Sequence, residues 1–493
     1  DIESLEGKKE ALLELNRDDE VISVCDRILS MDDENTEAYF DRASSYKKKA
    51  EYAKAIKDYE KGLELDPSRP DMWNDKGLCE YKLERYDGSL ESFNEAIELK
   101  SDDKSFWNNK GHSLYKLGKY NEAVDAYDKA LDIDQDDYRI WYSKGLAQEE
   151  LNKYEEAVLS YEKALDIEPE KESILMSLGM ALKWLDRHEK AVETFNKIIN
   201  IDPRKRVTYI KKGDSLAEIG KHEEAIDAYD RALDMDENDV ELLHKKKESL
   251  KALDRWVDIR KTAKAILDLD SNNIKAWRDR SEAQEKLGEP ESALKSIERA
   301  IEFDGSIDDY RQARDICKKL KRYDEIIEYC DKIIDIDETD TQAWKDKAIA
   351  LKYKGKKEES LEALNKVLEL DPNNKRFWIQ KGIILEHLKH YDNAMRAYNE
   401  AYELDEKDVN VIHRKAESLR KMERYSEAAE WYQKAMDLKP DEVKYINKKG
   451  KVLIETGDYD EAEELFERSL DINDQNGETW KYKGLLAEKL EKY

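Results

Sequence analysis

Trp73, Trp107 and Trp141 stand 34 residues apart, and the same step continues through Leu175, Tyr209, Leu243 and Trp277. One 33-residue step reaches Tyr310. The 34-residue step then resumes through Trp344, Trp378, Ile412, Ile446 and Trp480, and runs backwards through Tyr39 to Leu5. Seven of the ten Trp lie on this register, so it is not an accident of composition. A fixed period in the range of about 20–50 residues marks a repeat array, in which each unit buries its apolar face against its neighbours. A chain of 493 residues would otherwise suggest roughly three globular domains. The period replaces that expectation with one solenoid over residues 1–493.

Further columns keep the register. Four residues after the Trp column stands a small residue: Ala43, Gly77, Gly111, Gly145, Gly179, Gly213, Gly382, Gly450 and Gly484. Glycine inside a helix costs about 1 kcal/mol relative to Ala, so its recurrence implies close helix approach there. Thirteen residues after the Trp column comes Tyr, as in Tyr52, Tyr86, Tyr120, Tyr154, Tyr323, Tyr391, Tyr425, Tyr459 and Tyr493. Ala follows at the next turn, then a second aromatic: Tyr59, Phe93, Tyr127, Tyr161, Phe195, Tyr229, Tyr398, Tyr432 and Phe466. Spacings of three and four place each set on one face of a helix, giving two amphipathic helices per repeat. Segments such as Leu117-Gly118-Lys119 end the first helix, and segments such as Leu65-Asp66-Pro67 end the second, because Pro cannot continue a helix.

The period, the Trp–Gly–Tyr–Ala–aromatic–Ala–Pro order and the helical hairpin resemble the tetratricopeptide repeat family. The resemblance covers essentially the whole chain. It implies an all-α fold, an α-α superhelix: a right-handed solenoid of about fourteen hairpins plus one extra C-terminal helix, making nearly two turns. The first helix of each hairpin would line the concave side. Residues 1–242 read as regular N-terminal repeats and 341–493 as regular C-terminal repeats ending in a half-repeat. Residues 243–340 depart from the pattern: Lys247 and Arg314 occupy the small-residue column, Trp256 and Pro290 replace Tyr, and the single deletion falls near Gly305. That stretch is the expected bend, with unaltered geometry as the alternative. At the ends, Asp1 to Glu14 reads as the first helix of a degenerate repeat. The last helix reads as a cap with Glu488, Lys489, Glu491 and Lys492 outward, or as a boundary of the available sequence.

Composition narrows the function. Charged residues make up 41% and the formal net charge is -29. Such a chain repels phosphate backbones and anionic membranes, so neither nucleic acid nor a membrane is an expected partner. No apolar run approaches the roughly 20 residues needed to span a bilayer. Cys25, Cys79, Cys317 and Cys330 are too sparse for a disulfide framework; Cys317 and Cys330 sit in facing apolar columns of one hairpin, read as small core residues before a disulfide. A cytoplasmic location is favoured. The chain starts at Asp1 without Met, so something was removed or it is a piece of a longer protein.

Motifs for chemistry are absent. There is no G-x-x-x-x-G-K, G-x-G-x-x-G, H-E-x-x-H or G-x-S-x-G. His387 and His390 form an i, i+3 pair without a third ligand. Asp132, Asp134 and Asp136 alternate as in a calcium loop, but lack its Gly and final Glu and read as an acidic linker. No catalytic residue, metal or cofactor is expected, and the chain reads as a non-enzyme.

Function in such a fold belongs to the groove. The resemblance places the first-helix positions one, five and eight or nine after the Trp column inward. A partner-binding groove is therefore expected at Tyr142, Leu146, Met176, Met180, Trp184 and Ile210, with a second patch at Ile349, Tyr353, Ile379 and Ile383. Apolar side chains where packing does not need them suggest a docking surface for a peptide or amphipathic helix. Burial inside a tightly wound superhelix is the other reading of the same residues. Between the sets the groove is charged, with Arg278, Arg311, Lys318, Lys319 and Lys345 set among Asp214, Glu282 and Asp315, and its basic residues would suit acidic side chains or a carboxylate. The Asn that some relatives use to clamp a C-terminal carboxylate is missing five residues after the Trp column, as at Ser44, Leu78 and His112. The leading expectation is a non-enzymatic scaffold for protein partners. The alternatives are end-to-end self-association into filaments or tubes, and the recruiting arm of a larger enzyme such as a glycosyltransferase.

Overall fold

A computed structural model describes residues 1–491; Lys492 and Tyr493 lie outside the described residues. These form 29 helices: fourteen hairpins, from Ile2–Glu14 and Asp18–Leu29 to Val443–Thr456 and Tyr459–Ile472, followed by Gly477–Glu491. The helices divide into two compact units, Asp1–Arg255 and the chain from Trp256 onward. In both, the Trp register falls on the fourth residue of each first helix, as Trp107 does in Lys104–Lys116 and Trp378 in Lys375–His387.

Two turns alternate. Within a hairpin, Gly118 takes φ +73°, the Lys119 N–H bonds the Leu114 carbonyl, and the Gly118 N–H bonds that of Tyr115. This is the Schellman arrangement, which satisfies the last carbonyls of the helix. All fourteen hairpins carry one left-handed residue at this place. Only five are Gly (Gly118, Gly220, Gly288, Gly355, Gly457); the other nine include Ala50, Glu84 and Lys389. A side chain in that conformation costs roughly 1–2 kcal/mol, which the packing of the second helix must offset.

Between hairpins, an Asp caps the second helix by bonding the chain two residues on. Asp134 accepts from the Asp136 N–H at 2.9 Å and pairs with Lys104. The alternating acids there are thus a turn. Every Trp of the register seals this turn: its indole N–H donates to the carbonyl six residues upstream, as from Trp107 to Ser101 at 2.9 Å, Trp344 to Glu338 at 2.9 Å and Trp378 to Pro372 at 2.8 Å.

The small column meets the aromatic column. A Cβ added to Gly145 would stand 2.4 Å from the Tyr161 ring, and one on Gly382 2.4 Å from that of Tyr398. Seven first helices share this seat. The hairpin Ile307–Leu320 and Tyr323–Ile336 reverses it: Arg314 occupies the small column and is 5% exposed, while the aromatic column holds the small Cys330. Arg314 reaches Asp346 of the next hairpin at 3.3 Å. Cys317 and Cys330 are free and buried, and burial pushes both thiols up to about 12. At the N-terminal end Leu5 and Leu12 are buried with Val21, Val24 and Ile28. At the C-terminal end nothing among the described residues covers Gly484. No described helix is long and apolar enough to cross a membrane.

Candidate functional site

In the first unit, the first helices Glu172–Trp184, Arg206–Glu218 and Val240–Ala252 follow one another at 34-residue intervals. Neighbouring first helices meet directly along one face, as in the His112–Ser143 hydrogen bond at 3.2 Å. Where Met180 and Trp184 fall on this face, a cavity of about 740 Å³ opens. Its wall combines Met180, Trp184 and Ala217 with Lys183, Lys211, Asp214, Lys245, His188 and His222.

Asp214 organises the polar half. It accepts from Lys245 at 3.0 Å and from the Tyr229 hydroxyl at 3.2 Å, and Lys183 lies 3.6 Å away. Burial lowers the Lys183 ammonium below the usual lysine range, even with Asp214 beside it, because a partly dehydrated charge is disfavoured. Trp184 is 63% exposed and stacks on Tyr154 of the preceding hairpin, with centroids 5.9 Å apart and planes at 16°. A large aromatic face held flat beside a cavity is what an apolar anchor residue of a partner requires.

Of the six residues expected in the groove, Met180 and Trp184 line the cavity. Tyr142, Leu146, Met176 and Met180 are half-buried against the local core, and the Tyr142 hydroxyl lies 3.4 Å from that of Ser177. Ile210 is half-buried. In the second unit, Ile349, Ile379 and Ile383 pack half-buried on the cores of their own hairpins. Tyr353 is 67% exposed and stacks on Tyr323 at 4.9 Å and 13°. Trp184 and Tyr353 hold the same place, the thirteenth residue of a first helix. Most other first helices carry a charge there, such as Lys48 beside Asp18 or Lys421 over Tyr391, with Ala252 and His387 as the exceptions.

The basic groove residues are already matched within the chain. Arg278 pairs with Asp309 at 2.8 Å, Arg311 with Asp340 at 2.8 Å, Lys318 with Asp346 at 3.0 Å and Lys345 with Asp371 at 3.0 Å. Lys319 pairs with Glu285. Four of these pairs link one repeat to a neighbour, and Lys345 reaches the cap of its own repeat's second helix, which removes the reason for reading them as a free carboxylate site. Asp214, Lys245 and Tyr229 were not legible as a cluster. The one signal near them is that His188 and His222 stand in the Tyr column. Among the described residues no group of three His, Cys, Asp or Glu is arranged to hold a metal.

Tetratricopeptide repeat family models match residues 40–104, 108–172 and 345–409, 408–475, and 172–205 and 208–239. The DnaJ homolog subfamily C member 3 homolog of Dictyostelium discoideum is 35% identical over 65 residues, a match spanning 13% of this chain and 13% of that relative's length. Among solved structures, the C-terminal part of a TPR repeat-containing protein from Cytophaga hutchinsonii is 21% identical, with 49% of this chain and 98% of that one covered and a TM-score of 0.44. YrrB, described as a TPR protein with an unusual peptide-binding site, is 20% identical over 38% of this chain and 97% of its own, with a TM-score of 0.36.

Proposed function

Since this chain belongs to the tetratricopeptide repeat family, we propose that it is a non-enzymatic scaffold that binds a peptide or helical segment of a partner protein on the first-helix face around Met180 and Trp184. The observation that carries this reading is the exposed Trp184 ring, fixed on Tyr154 at the edge of a cavity of about 740 Å³. Met180 and Trp184 receive an apolar side chain. The Lys183–Asp214–Lys245 cluster supplies a polar rim for the segment's backbone or side chains, the division of labour typical of binding sites. Tyr142, Leu146, Met176 and Ile210 support the site from the adjoining helices. Ile349, Tyr353, Ile379 and Ile383 form a second, weaker contact surface with Tyr353 as its exposed ring.

Selection of a random peptide library against the intact chain tests the site. Peptides that enrich should lose about 2 kcal/mol of affinity for a Met180→Ala, Trp184→Ala variant whose helical circular dichroism is unchanged. Equal binding to both proteins ends the groove reading at this position.

A further inference from the structure

Three residues after the Trp column the repeats carry a cation: Arg42, Lys144, Lys246 and Lys347 are examples, and thirteen of fifteen first helices follow the rule. The cation lies over the Trp ring, as Lys144 does over Trp141 at 5.2 Å. In several repeats it also pairs with an acid on the preceding second helix: Arg42 with Asp26 at 2.6 Å, Lys144 with Asp128 at 2.6 Å, Lys347 with Asp331 at 2.5 Å. Twelve of the thirteen cations are half-buried or exposed. The other, Lys415, is 4% exposed.

The surroundings of Lys415 depart from the pattern in three columns. Ile412 stands in the Trp column, and Asn399 stands where Asp128 and Asp331 stand in their repeats. The ring comes instead from Trp431 on the following second helix, Tyr425–Leu438, at a place held by Ala363 and Ala397 in the two preceding repeats. The Lys415 Nζ lies 3.5 Å from the centroid of Trp431 and 4.5 Å from that of Tyr402, and these two rings meet edge to face at 5.0 Å. The exposed Lys434 rests its Nζ on the same indole at 4.0 Å. Two ammonium groups therefore share one ring. Among the described residues no acid pairs with Lys415, and Glu403, whose charge acts on it, is exposed. Burial, with Lys434 beside it, lowers the Lys415 ammonium to about 8, because a charge without a counterion is disfavoured out of water. A lysine desolvated beside a second cation is held partly as the free amine, its nucleophilic form.

We propose that Lys415 is a modification site for carbon dioxide, which converts its amine to a carbamate. The unprotonated Nζ attacks the carbon of CO2. A C–N bond forms, one C=O π pair moves onto oxygen as the carboxylate charge, and a proton of the amine passes to water. Two features of the aromatic box select this electrophile. CO2 is small and apolar, so it reaches an amine walled by Tyr402 and Trp431 where a bulky acyl donor does not. Its product is an anion beside Lys434, and it supplies the carboxylate that Asn399 does not, as Asp128 supplies one to Lys144. Two like charges on one ring are replaced by an ion pair, which a poorly hydrated site favours.

Carbon NMR of the intact chain in isotopically labelled bicarbonate tests the site. A carbamate resonance should rise with pH and level off above about 8, and it should be lost in Lys415→Arg, which keeps a cation over both rings and forms no carbamate. Carbamates at the terminal amine or at exposed lysines persist in that variant and serve as its internal reference. Lys434→Gln, at an exposed position that does not threaten folding, should reduce the Lys415 resonance severalfold. Amide exchange of the helix Val409–Lys421 should slow in bicarbonate relative to equal chloride in the intact chain and not in Lys415→Arg, since a modification confined to the folded state stabilises it. The proposal is overturned if Lys415→Arg loses no carbamate resonance, or if Lys434→Gln leaves the resonance at full strength. It is also overturned if bicarbonate slows exchange equally in the intact chain and in Lys415→Arg.

Discussion

The hairpins Lys375–His387 with Tyr391–Leu404 and Ile307–Leu320 with Tyr323–Ile336 solve one packing problem with opposite residues. In the first, Gly382 on the first helix leaves room for the Tyr398 ring on the second. In the second, Arg314 fills the seat from the first helix and the second helix recedes to Cys330. What the fold conserves at this crossing is the summed volume, one small and one large side chain, because interiors are close-packed. The chemistry of the large one is open. A buried guanidinium is tolerated because Asp346, 6% exposed, stands 3.3 Å away and also receives Lys318.

The largest effect is expected where the reversal is broken on one side. Arg314→Ala should cost about 3 kcal/mol, since it opens a cavity and weakens the pairing of a buried carboxylate; urea melting followed by amide exchange of the helix Thr341–Tyr353 would locate the loss. Arg314→Gly combined with Cys330→Tyr rebuilds the common arrangement, so the pair should be less destabilising than the sum of its parts by about 2 kcal/mol. Additive single effects in that double-mutant cycle would show that volume complementarity is not the governing rule. Gly382→Ala should cost about 2 kcal/mol although the exchange favours an isolated helix by about 1 kcal/mol, because its Cβ would stand 2.4 Å from the Tyr398 ring. Trp378→Phe should lose about 1 kcal/mol with the indole bond to the Pro372 carbonyl. The smallest effect has the other sign. Lys389→Gly, at φ +62°, should stabilise the same hairpin by about 0.5–1 kcal/mol, and an unchanged melting temperature would mean that the side chain contributes packing of its own.

How far the sequence reached can be followed residue by residue. The count of fourteen hairpins and one further helix, and the close approach at Gly77, Gly111 and Gly145, were legible because period and spacing repeat many times. The left-handed turn was legible at Gly118 and Gly220. It was hidden at Glu84 and Lys389, because those residue types disfavour the conformation and only the surrounding packing imposes it. Met180 and Trp184, which line the cavity, stood out in the sequence because the repeat makes no demand at their positions. Tyr142 and Leu146 looked alike in sequence and, like Met180, lean half-buried on the core, whereas Trp184 stays largely exposed.

The sequence by itself determined the helices, their pairing and the small-on-large crossings, because these depend on local spacing and on volume repeated in register. Only the tertiary structure decided which charges were spent within the chain and which surfaces were left over. Arg278 and Arg311 read as a basic groove until the next repeat supplied Asp309 and Asp340, and Lys345 did so until the end of its own repeat supplied Asp371. The cavity beside Trp184 exists only because neighbouring repeats do not fill it. The reach of a side chain from one repeat to the next is a distance in space, and a single strand of letters does not contain it.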